Sequence, residues 1–454
     1  MEQTMTFAHL LDELQRGTLA KVKVAVTDID GILRGKYIHR DKFLSILKNN
    51  FGFCSVIFGW DSSDSCYDAS TYTGWHTGYP DAAVKVVPES FRRIPWDNNV
   101  AFFLGEFIDG NNRPLEVCPR QVLKKILNKA DKMGFSAFVG CEYEWFNFKE
   151  SPDSLQTKGY RDPIPLTPGM YGYSLLRSNL HNDYFNQLFD LCAEFRIPIE
   201  GLHTESGPGV YEAAIQATAA LEAADRAVLF KTAAKQIANN AGFVASFMAK
   251  WNQDLPGCSG HIHQSLNDGS KNVFYDASHP QQMSKIFQHY LAGIIRYTPE
   301  LLVMMAPTIN SYKRFVKGYW APTHSTWGLD NRTCAFRVMG GSSSSTRLEM
   351  RVPGADMNPY LAMAASLGAG LMGIEQELPL TALPVRGNAY DHQEAKAFAS
   401  SLAQASELFA ESSVAIELFG ENFVQHYCQT RRWECKQWNK SVTDWEMKRY
   451  FEII

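Results

Sequence analysis

Four stretches of the chain carry acidic or imidazole side chains at spacings that suit one face of a β-strand. Alternate residues of a strand point to the same side of its sheet, so side chains two residues apart can share a ligand. The four stretches hold Glu142 and Glu144, Glu205 and Glu212, His261 and His263, and Glu349. Each stretch alone is also explained by an exposed strand, an acidic loop or a surface histidine pair. Together, five carboxylates with one or two imidazoles predict a site for a hard cation such as Mg²⁺ or Mn²⁺, not zinc.

The segment 331–361 concentrates arginines beside a Gly/Ser loop. Its four arginines are Arg332, Arg337, Arg347 and Arg351. On a strand, Arg347, Glu349 and Arg351 point one way, and the apolar residues between them point the other way. Buried arginines need an anion to offset their charge, and their planar fork fits carboxylate or phosphate oxygens. The alternative is a solvated strand with ion pairs.

Cations and arginines around one phosphoryl group are the parts of a phosphoryl-transfer site. The sequence contains no Gly-x-x-x-x-Gly-Lys-Ser/Thr loop. We therefore expect a nucleotide to be held by a sheet, by side chains and by metal, and not by a P-loop.

The composition describes a globular protein and limits its partners. With 454 residues and 45% hydrophobic content, two domains are expected, over 1–112 and 113–454 with a polar boundary near residue 112. The net charge of -4 does not indicate nucleic acid or an anionic membrane. No uninterrupted apolar run reaches the roughly 18 residues of a transmembrane helix, and the N-terminal sequence lacks the pattern of a secretory signal. Nine scattered cysteines without Cys-x-x-Cys predict reduced thiols and a cytoplasmic location.

Periodicity predicts a mixture of helices and strands, which is the α+β class. A strand at 22–26 returns after the Asp30-Gly31 turn, and residues 51–81 are expected to be a long loop. A helix from Pro119 precedes a strand at 135–148, and further helices are expected at 178–196 and, rich in alanine, at 212–241. Asn358 is expected to cap a helix to about residue 377, and Thr443 with Glu446 forms a capping box.

Five motifs together resemble the glutamine synthetase superfamily over about residues 24–450. They are Glu-x-Glu at 142–144, Gly-His-x-His-x-Ser at 260–265, Pro-Thr-Ile-Asn-Ser-Tyr-Lys-Arg at 307–314, Asn-Arg-Thr-x-x-x-Arg at 331–337 and Arg-x-Glu-x-Arg-x-Pro…Asn-Pro-Tyr-Leu at 347–361. Trp-Gly-Leu-Asp-Asn-Arg-Thr at 327–333 and Asp-Trp-Glu-x-x-x-Tyr at 444–450 resemble the γ-glutamylamine ligase branch, which includes γ-glutamylputrescine synthetase. The resemblance implies a small N-terminal β-grasp-like domain and a catalytic partial barrel of antiparallel strands backed by helices. It also implies homo-oligomers with six-membered rings, hexamers or dodecamers, whose active sites lie between subunits.

The resemblance also implies roles for individual residues. One metal would be held by Glu144, Glu205 and Glu212, and another by Glu142, His261 and Glu349, so that each active site would hold two or three ions in all. L-Glutamate would be bound by the Gly257 backbone, Arg314 and Arg351. ATP and the transferred phosphoryl group would face Arg332, Arg337 and Arg347, with His263 and Ser265 on the nucleotide side. Asp61, on a loop that reaches a neighbouring subunit, would accept the proton of the amine.

Trp320 departs from the pattern of the ammonia-using enzymes, which carry a glutamate at this position of a flap. An indole could form an apolar wall or a cation–π face for a larger amine, or it could simply pack. Tyr390, in a segment that resembles a loop modified by adenylylation in some relatives, is expected to be a surface tyrosine.

The activity implied is an ATP-dependent ligase that joins the γ-carboxylate of L-glutamate to an amine through γ-glutamyl phosphate. This would serve nitrogen metabolism by amine or polyamine utilisation. A glutamine synthetase that uses ammonia is the nearest alternative. A ligase for another acid and a non-catalytic relative are the others. The sequence leaves the identity of the amine open.

Overall fold

Two β-sheets, built from successive parts of the chain, organise the molecule. The computed structural model describes residues 7–70 and 72–454. Strands between residues 21 and 108 form a six-stranded sheet, and strands between 136 and 350 form an eight-stranded sheet. This mixed architecture with helices confirms the predicted α+β class. The proposed boundary at 112/113 falls between the two sheets and stays a prediction. Residues 1–6, where the predicted first domain and the expectation about a signal sequence begin, lie outside the described residues.

The first sheet has the strand order β2-β1-β6-β4-β3, with β5 beside β6. Its elements are α1 (Phe7–Arg16), β1 (Lys21–Thr27), β2 (Leu33–His39), α2 (Arg40–Ile46), β3 (Phe51–Cys54), β4 (Asp81–Val86), β5 (Arg92–Ile94) and β6 (Val100–Ile108). The antiparallel pairing of β1 with β2 confirms the predicted hairpin. Strand β3 lies in the stretch that was expected to be a loop, because Phe51 is buried and pairs with Val84 of β4.

The second sheet has the order β12-β13-β14-β11-β7-β9-β8, with β10 beside β7. It begins with α3 (Pro119–Lys132), β7 (Ser136–Phe148), α4 (Pro152–Thr157), α5 (Leu175–Asn179), α6 (Asn182–Glu194), β8 (Ile199–Thr204), β9 (Val210–Ala219), α7 (Ala220–Asn240), β10 (Val244–Ser246) and β11 (Gly260–Asn267). It continues with α8 (Lys285–Leu301), β12 (Trp327–Leu329), β13 (Phe336–Met339), β14 (Arg347–Met350), α9 (Pro359–Glu375), α10 (Leu402–Ala410), α11 (Ser413–Phe419), α12 (Glu421–Lys440) and α13 (Asp444–Tyr450). The predicted capping box opens α13.

Two helix predictions are wrong in part. Residues 212–219 belong to strand β9, and only α7 is helical, because Tyr211, Ala213 and Ile215 alternate as buried residues against β7. Alanine favours helices in isolation, but this pairing overrides its preference. The helix expected over 178–196 is two helices, α5 and α6, separated at residues 180–181.

One face of the second sheet packs against helices, which leaves the other face for polar side chains. Tyr143, Trp145, Leu348 and Met350 are fully buried, and the Trp145 ring lies 5.5 Å from that of Phe230 on α7. Alternation then turns Glu142, Glu144 and Glu349 to the opposite face, as the sequence predicts. Across the described part of the chain, no helix combines the length and the apolar character that crossing a membrane requires.

The turn between β1 and β2 is fastened to distant parts of the chain. The side-chain amide of Asn358 donates to the carbonyls of Asp28 and Ile29, at 3.3 and 3.1 Å. Arg431 on α12 pairs with Asp30 at 2.5 Å. Gly31 has a φ of +82°, and a Cβ there would lie 3.0 Å from the Asn358 Cα. The turn therefore requires glycine.

Candidate active site

Glu142, His261 and Glu349 come together on the polar face of the second sheet. His261 on β11 lies opposite Glu142 on β7, and Glu349 on β14 lies opposite His263. His261 Nδ1 is 3.5 Å from a carboxylate oxygen of each glutamate, and one ligand atom from each of the three residues lies within 4.8 Å of the others. His261 Nε2 is buried and has no hydrogen-bond partner. A divalent cation fits this donor set, in which not every polar atom has a hydrogen-bond partner.

Neighbouring arginine and histidine side chains hold the two glutamates of this group in the charged form. Burial would raise the pKa of Glu349, but Arg351 and the two histidines outweigh it and bring that pKa to about 2. Arg337 and Arg351 lie 2.9 and 2.6 Å from its two oxygens. Burial likewise opposes ionisation of Glu142, but the imidazoles of His261 and His263, 3.5 and 3.0 Å from its oxygens, hold its pKa well below the usual value.

Glu144, Glu205 and Glu212 form a second group with the opposite electrostatic character. Glu144 on β7 pairs directly with Glu212 on β9. Burial, and then the charge of Glu212, raise the pKa of Glu144 to about 8, although the Ser259 N–H donates to it at 2.8 Å. The negative charge of these three carboxylates is poorly balanced by their surroundings, and a hard divalent cation would stabilise them. Their role as a metal site stays a prediction.

His203 adjoins the second group and was not among the predicted site residues. Its Nε2 is 3.5 Å from Glu212, and its ring stacks on Tyr173 with the centroids 4.3 Å apart. Burial would lower the pKa of His203, but the hydrogen bond and charge of Glu212 outweigh it and raise that pKa. The spacing of His203 and Glu205, two residues apart at the end of a strand, is the sequence signal that could have found it.

Arg314 is a buried cation without a carboxylate partner in the described residues. It is 2% exposed, and it donates to the Ser259 hydroxyl at 3.2 Å and to the carbonyl of Val352. Its Nε, like that of Arg351, is buried without a hydrogen-bond partner. Burial lowers the pKa of Arg314 against the opposing charges of Glu144 and Asp356. A bound anion would supply the missing acceptor.

A small polar network fixes the backbone that carries Arg314. The hydroxyls of Thr308 and Ser311 both donate to one oxygen of Asp356, at 2.7 and 2.5 Å. Each hydroxyl also accepts the backbone N–H of the other residue at 3.0 Å. On the neighbouring loop, a Cβ at Gly257 would lie 2.7 Å from the Arg314 Cγ. Gly257 therefore permits the close approach of this loop to Arg314.

Three residues predicted to face the nucleotide or phosphoryl group, Ser265, Arg347 and Arg337, lie on β11, β14 and β13 of the second sheet. Arg347 Nε lies 3.2 Å from His263 Nδ1, and its Nη1 donates to the Ser345 carbonyl at 2.9 Å. Ser265 lies two residues further along β11, partly buried. Arg337 connects Glu349 with Asp330, whose carboxylate accepts its Nε at 3.0 Å. Arg337 and Arg347 are thus brought to the first group.

Arg332 and Trp320 lie together on a cavity of about 630 Å³. Trp320 is 54% exposed and has a φ of 61°, in the left-handed region. The Tyr390 hydroxyl donates to the carbonyl of the next residue, Ala321, at 3.1 Å. The expectation that Tyr390 is a surface tyrosine is wrong, because it is 7% exposed and its hydroxyl bonds to the segment that carries Trp320.

Asp61 is held by its own loop and by a helix of the same chain. Its Oδ1 accepts the N–H groups of Ser63 and Ser65 at 2.8 and 3.0 Å, and its Oδ2 accepts the Trp433 indole N–H at 2.9 Å. None of these contacts involves the two glutamate groups. The role of Asp61 in a neighbouring subunit's site stays a prediction.

Comparison with known proteins decides the family. The sequence profile described as "Glutamine synthetase, catalytic domain" matches residues 116–450. The chain belongs to the glutamine synthetase family. Ligases of this family use ATP and divalent metal, which agrees with the donor sets on the second sheet.

Three relatives match almost the whole length of this glutamine synthetase family member. "Type-1 glutamine synthetase 2" of Dictyostelium discoideum is 50% identical over 98% of this chain and 86% of its own. "Glutamate--isopropylamine ligase" of a Pseudomonas species is 36% identical over 98% of this chain and 97% of its own. The gamma-glutamylethanolamide synthetase of Streptomyces coelicolor is 36% identical over 96% of this chain and 93% of its own.

Proposed function

We propose that the protein is an ATP-dependent ligase that joins the γ-carboxylate of L-glutamate to an amine. The observation that carries the proposal is the first glutamate group, in which Glu142, His261 and Glu349 converge beside two arginines. The relatives named after isopropylamine and ethanolamide support an amine as the second substrate. The products would be a γ-glutamylamide, ADP and phosphate.

The proposed role of Arg314 is to bind glutamate through its α-carboxylate. Its guanidinium is buried and lacks an anionic partner in the described residues, and Arg351 offers a second free donor next to it. The Gly257 backbone would receive the amino group. These contacts would orient the γ-carboxylate toward the first glutamate group.

In the proposed reaction a γ-carboxylate oxygen attacks the terminal phosphorus of ATP, and ADP leaves. Arg332, Arg337 and Arg347 would neutralise charge on the transferred phosphoryl group, with His263 and Ser265 beside the nucleotide. The amine nitrogen then attacks the acyl carbon of γ-glutamyl phosphate, and phosphate leaves. Two or three Mg²⁺ or Mn²⁺ ions, held by the two glutamate groups, would supply further neutralisation of phosphate charge.

The amine must lose a proton in the site before or during its attack. Asp61 is the proposed base, supplied by the neighbouring subunit of a six-membered ring in a hexamer or dodecamer. Three N–H groups occupy most of the roughly four acceptor positions of its carboxylate. Comparing Asp61→Asn with Trp433→Phe separates the role of Asp61 as the base from the role of Trp433 in holding it, because only loss of the base would change the pH profile of turnover.

We also propose a cytoplasmic location without membrane or nucleic-acid partners.

A glutamine synthetase that uses ammonia is the second candidate, because the relative at 50% identity carries that name. Trp320 favours the first candidate. It lines the cavity beside Arg332, and the acid of that lining, Asp330, is paired with Arg337. An indole offers an apolar surface to a larger amine and no carboxylate to ammonium.

The deciding experiment measures ADP release from the purified protein with Mg²⁺, ATP and glutamate. Ammonia would be compared with alkylamines, ethanolamine, aromatic amines and diamines. We expect one amine class to exceed ammonia by at least about tenfold in kcat/KM. Turnover with ammonia alone would establish the second candidate, and the absence of turnover would contradict both.

A further inference from the structure

The cavity beside Trp320 and Arg332 is preformed by hydrogen bonds between its walls. The Asn331 side-chain amide donates to the carbonyls of Val385 and Gly387, at 3.2 and 2.8 Å. The Thr333 hydroxyl accepts the Ala389 N–H at 2.9 Å. These bonds fix the segments 331–333 and 385–389 against each other. A pocket with such walls keeps its shape without a ligand and can select by shape and charge.

The cavity adjoins the reacting groups through its own lining. Asp330 lines it and accepts from Arg337, which in turn donates to Glu349 at 2.9 Å. The cavity therefore adjoins the first glutamate group through Asp330 and Arg337.

The cavity has a positive charge balance. Arg332 and Arg386 are exposed on its wall, and neither forms an ion pair with any residue that the structure describes. The carboxylate of Asp330 is paired with Arg337. The other lining residues are uncharged, and they include the exposed apolar side chains of Trp320 and Leu329.

We infer that this cavity receives the tail of the amine substrate and selects primary amines whose tails carry no positive charge. The inference rests on the proposed ligase function. An aliphatic or aromatic tail would contact Trp320 and Leu329. The second ammonium of a diamine or polyamine would instead approach the guanidinium of Arg386, which stays unpaired when Arg332 faces the phosphoryl group. The attraction of the Trp320 indole face for a cation opposes this repulsion only in part. Monoamines, and not the polyamines suggested by the sequence resemblance, are therefore the favoured substrate class.

The test compares amines matched in length and shape, by kcat/KM for ADP release with saturating ATP and glutamate. The pairs are butylamine with 1,4-diaminobutane, and benzylamine with 4-(aminomethyl)benzylamine. We expect the monoamine of each pair to be favoured by at least about tenfold, because like charges repel in the cavity. The preference should shrink as ionic strength rises.

Variants of Arg386 locate the origin of the preference. Arg386→Glu should reduce the monoamine-to-diamine ratio at least about fivefold by replacing repulsion with attraction. Arg386→Lys keeps the charge and should keep the ratio. Arg296→Glu, a charge reversal on the exposed surface of α8 outside the cavity, should leave the ratio unchanged.

A wild-type ratio at or below one, or an Arg386→Glu variant with the wild-type ratio, would overturn the inference while leaving the ligase function in place. The absence of ADP release with every amine would overturn the proposed function itself.

Discussion

Two groups of glutamates lie on one face of the same sheet and differ in how their charge is balanced. In the first group, Glu349 is 1% exposed yet ionised, because Arg337 and Arg351 bind its two oxygens. In the second group, Glu144 faces Glu212 and receives one backbone N–H. The pKa of Glu349 is about 2 and that of Glu144 about 8.

The fold alone brings the first group together with its charge balanced, whereas the second group needs a bound cation to balance its charge. The ligand atoms of the first group already lie within 4.8 Å of one another. The second group includes a buried carboxylate that burial and neighbouring charge drive toward the neutral form. We expect metal at the second group to contribute more to folding stability, since binding there relieves repulsion.

The largest expected effect is that of Glu349→Ala, which breaks the first group. Ligase activity should fall at least about 100-fold with the loss of a predicted metal ligand. The unfolding free energy should also fall, by about 3–5 kcal/mol, because Arg337 and Arg351 lose a shared buried partner. Initial rates and thermal melting measure the two effects, with Glu375→Ala on the surface of α9 as the control. Full activity in the Glu349 variant would show that the first group is not the catalytic centre.

Glu144→Gln sharpens the comparison through the pH dependence of stability. The ordinary pKa of a glutamate, about 4.3 when unfolded, rises to about 8 for Glu144 in the fold. Between these values the unfolded chain has lost the proton that the folded chain retains, so metal-free protein should lose stability as pH rises from 5 to 8. The variant should remove much of this slope. Thermal melts in a chelator across that range test it, and adding Mg²⁺ should restore the wild type at pH 8. Parallel curves for variant and wild type would contradict the assignment.

Asp356→Asn should have the smallest effect and should separate substrate binding from metal binding. Asp356 accepts two hydroxyls and so fixes the turn that leads to Arg314. Weakening these bonds should raise the KM for glutamate about 3- to 10-fold, with the KM for ATP and the metal dependence unchanged. Asp391→Asn on the surface is the matched control. Equal increases in both KM values would indicate general loosening of the site.

The strand faces of the site could be predicted because alternation is a local property. Tyr143 and Trp145 point into the core, so Glu142 and Glu144 must point out. The same reasoning places His261 and Glu349, and the motifs identified the family before any geometry was known.

Register and long-range contacts could not be predicted in the same way. Strand β9 was hidden by its alanines, and only pairing with β7 reveals that Glu212 faces Glu144. The contact of Asp356 with Ser311 joins residues 45 apart, and that of Asp61 with Trp433 joins residues 372 apart. Tyr390 is buried, and its hydroxyl donates to the carbonyl of Ala321, 69 residues away in the chain. Such contacts depend on how the elements pack and leave no periodic signal in the sequence.

The pairing of Arg431 with Asp30 spans 401 residues and has a consequence for how the chain matures. The β1–β2 hairpin can form soon after its own residues are synthesised, but Arg431, which binds its turn, follows Asp30 by 401 residues. Contacts of such high sequence separation form slowly. Until those residues have been made, the acidic turn lacks the cation that fastens it in the folded protein.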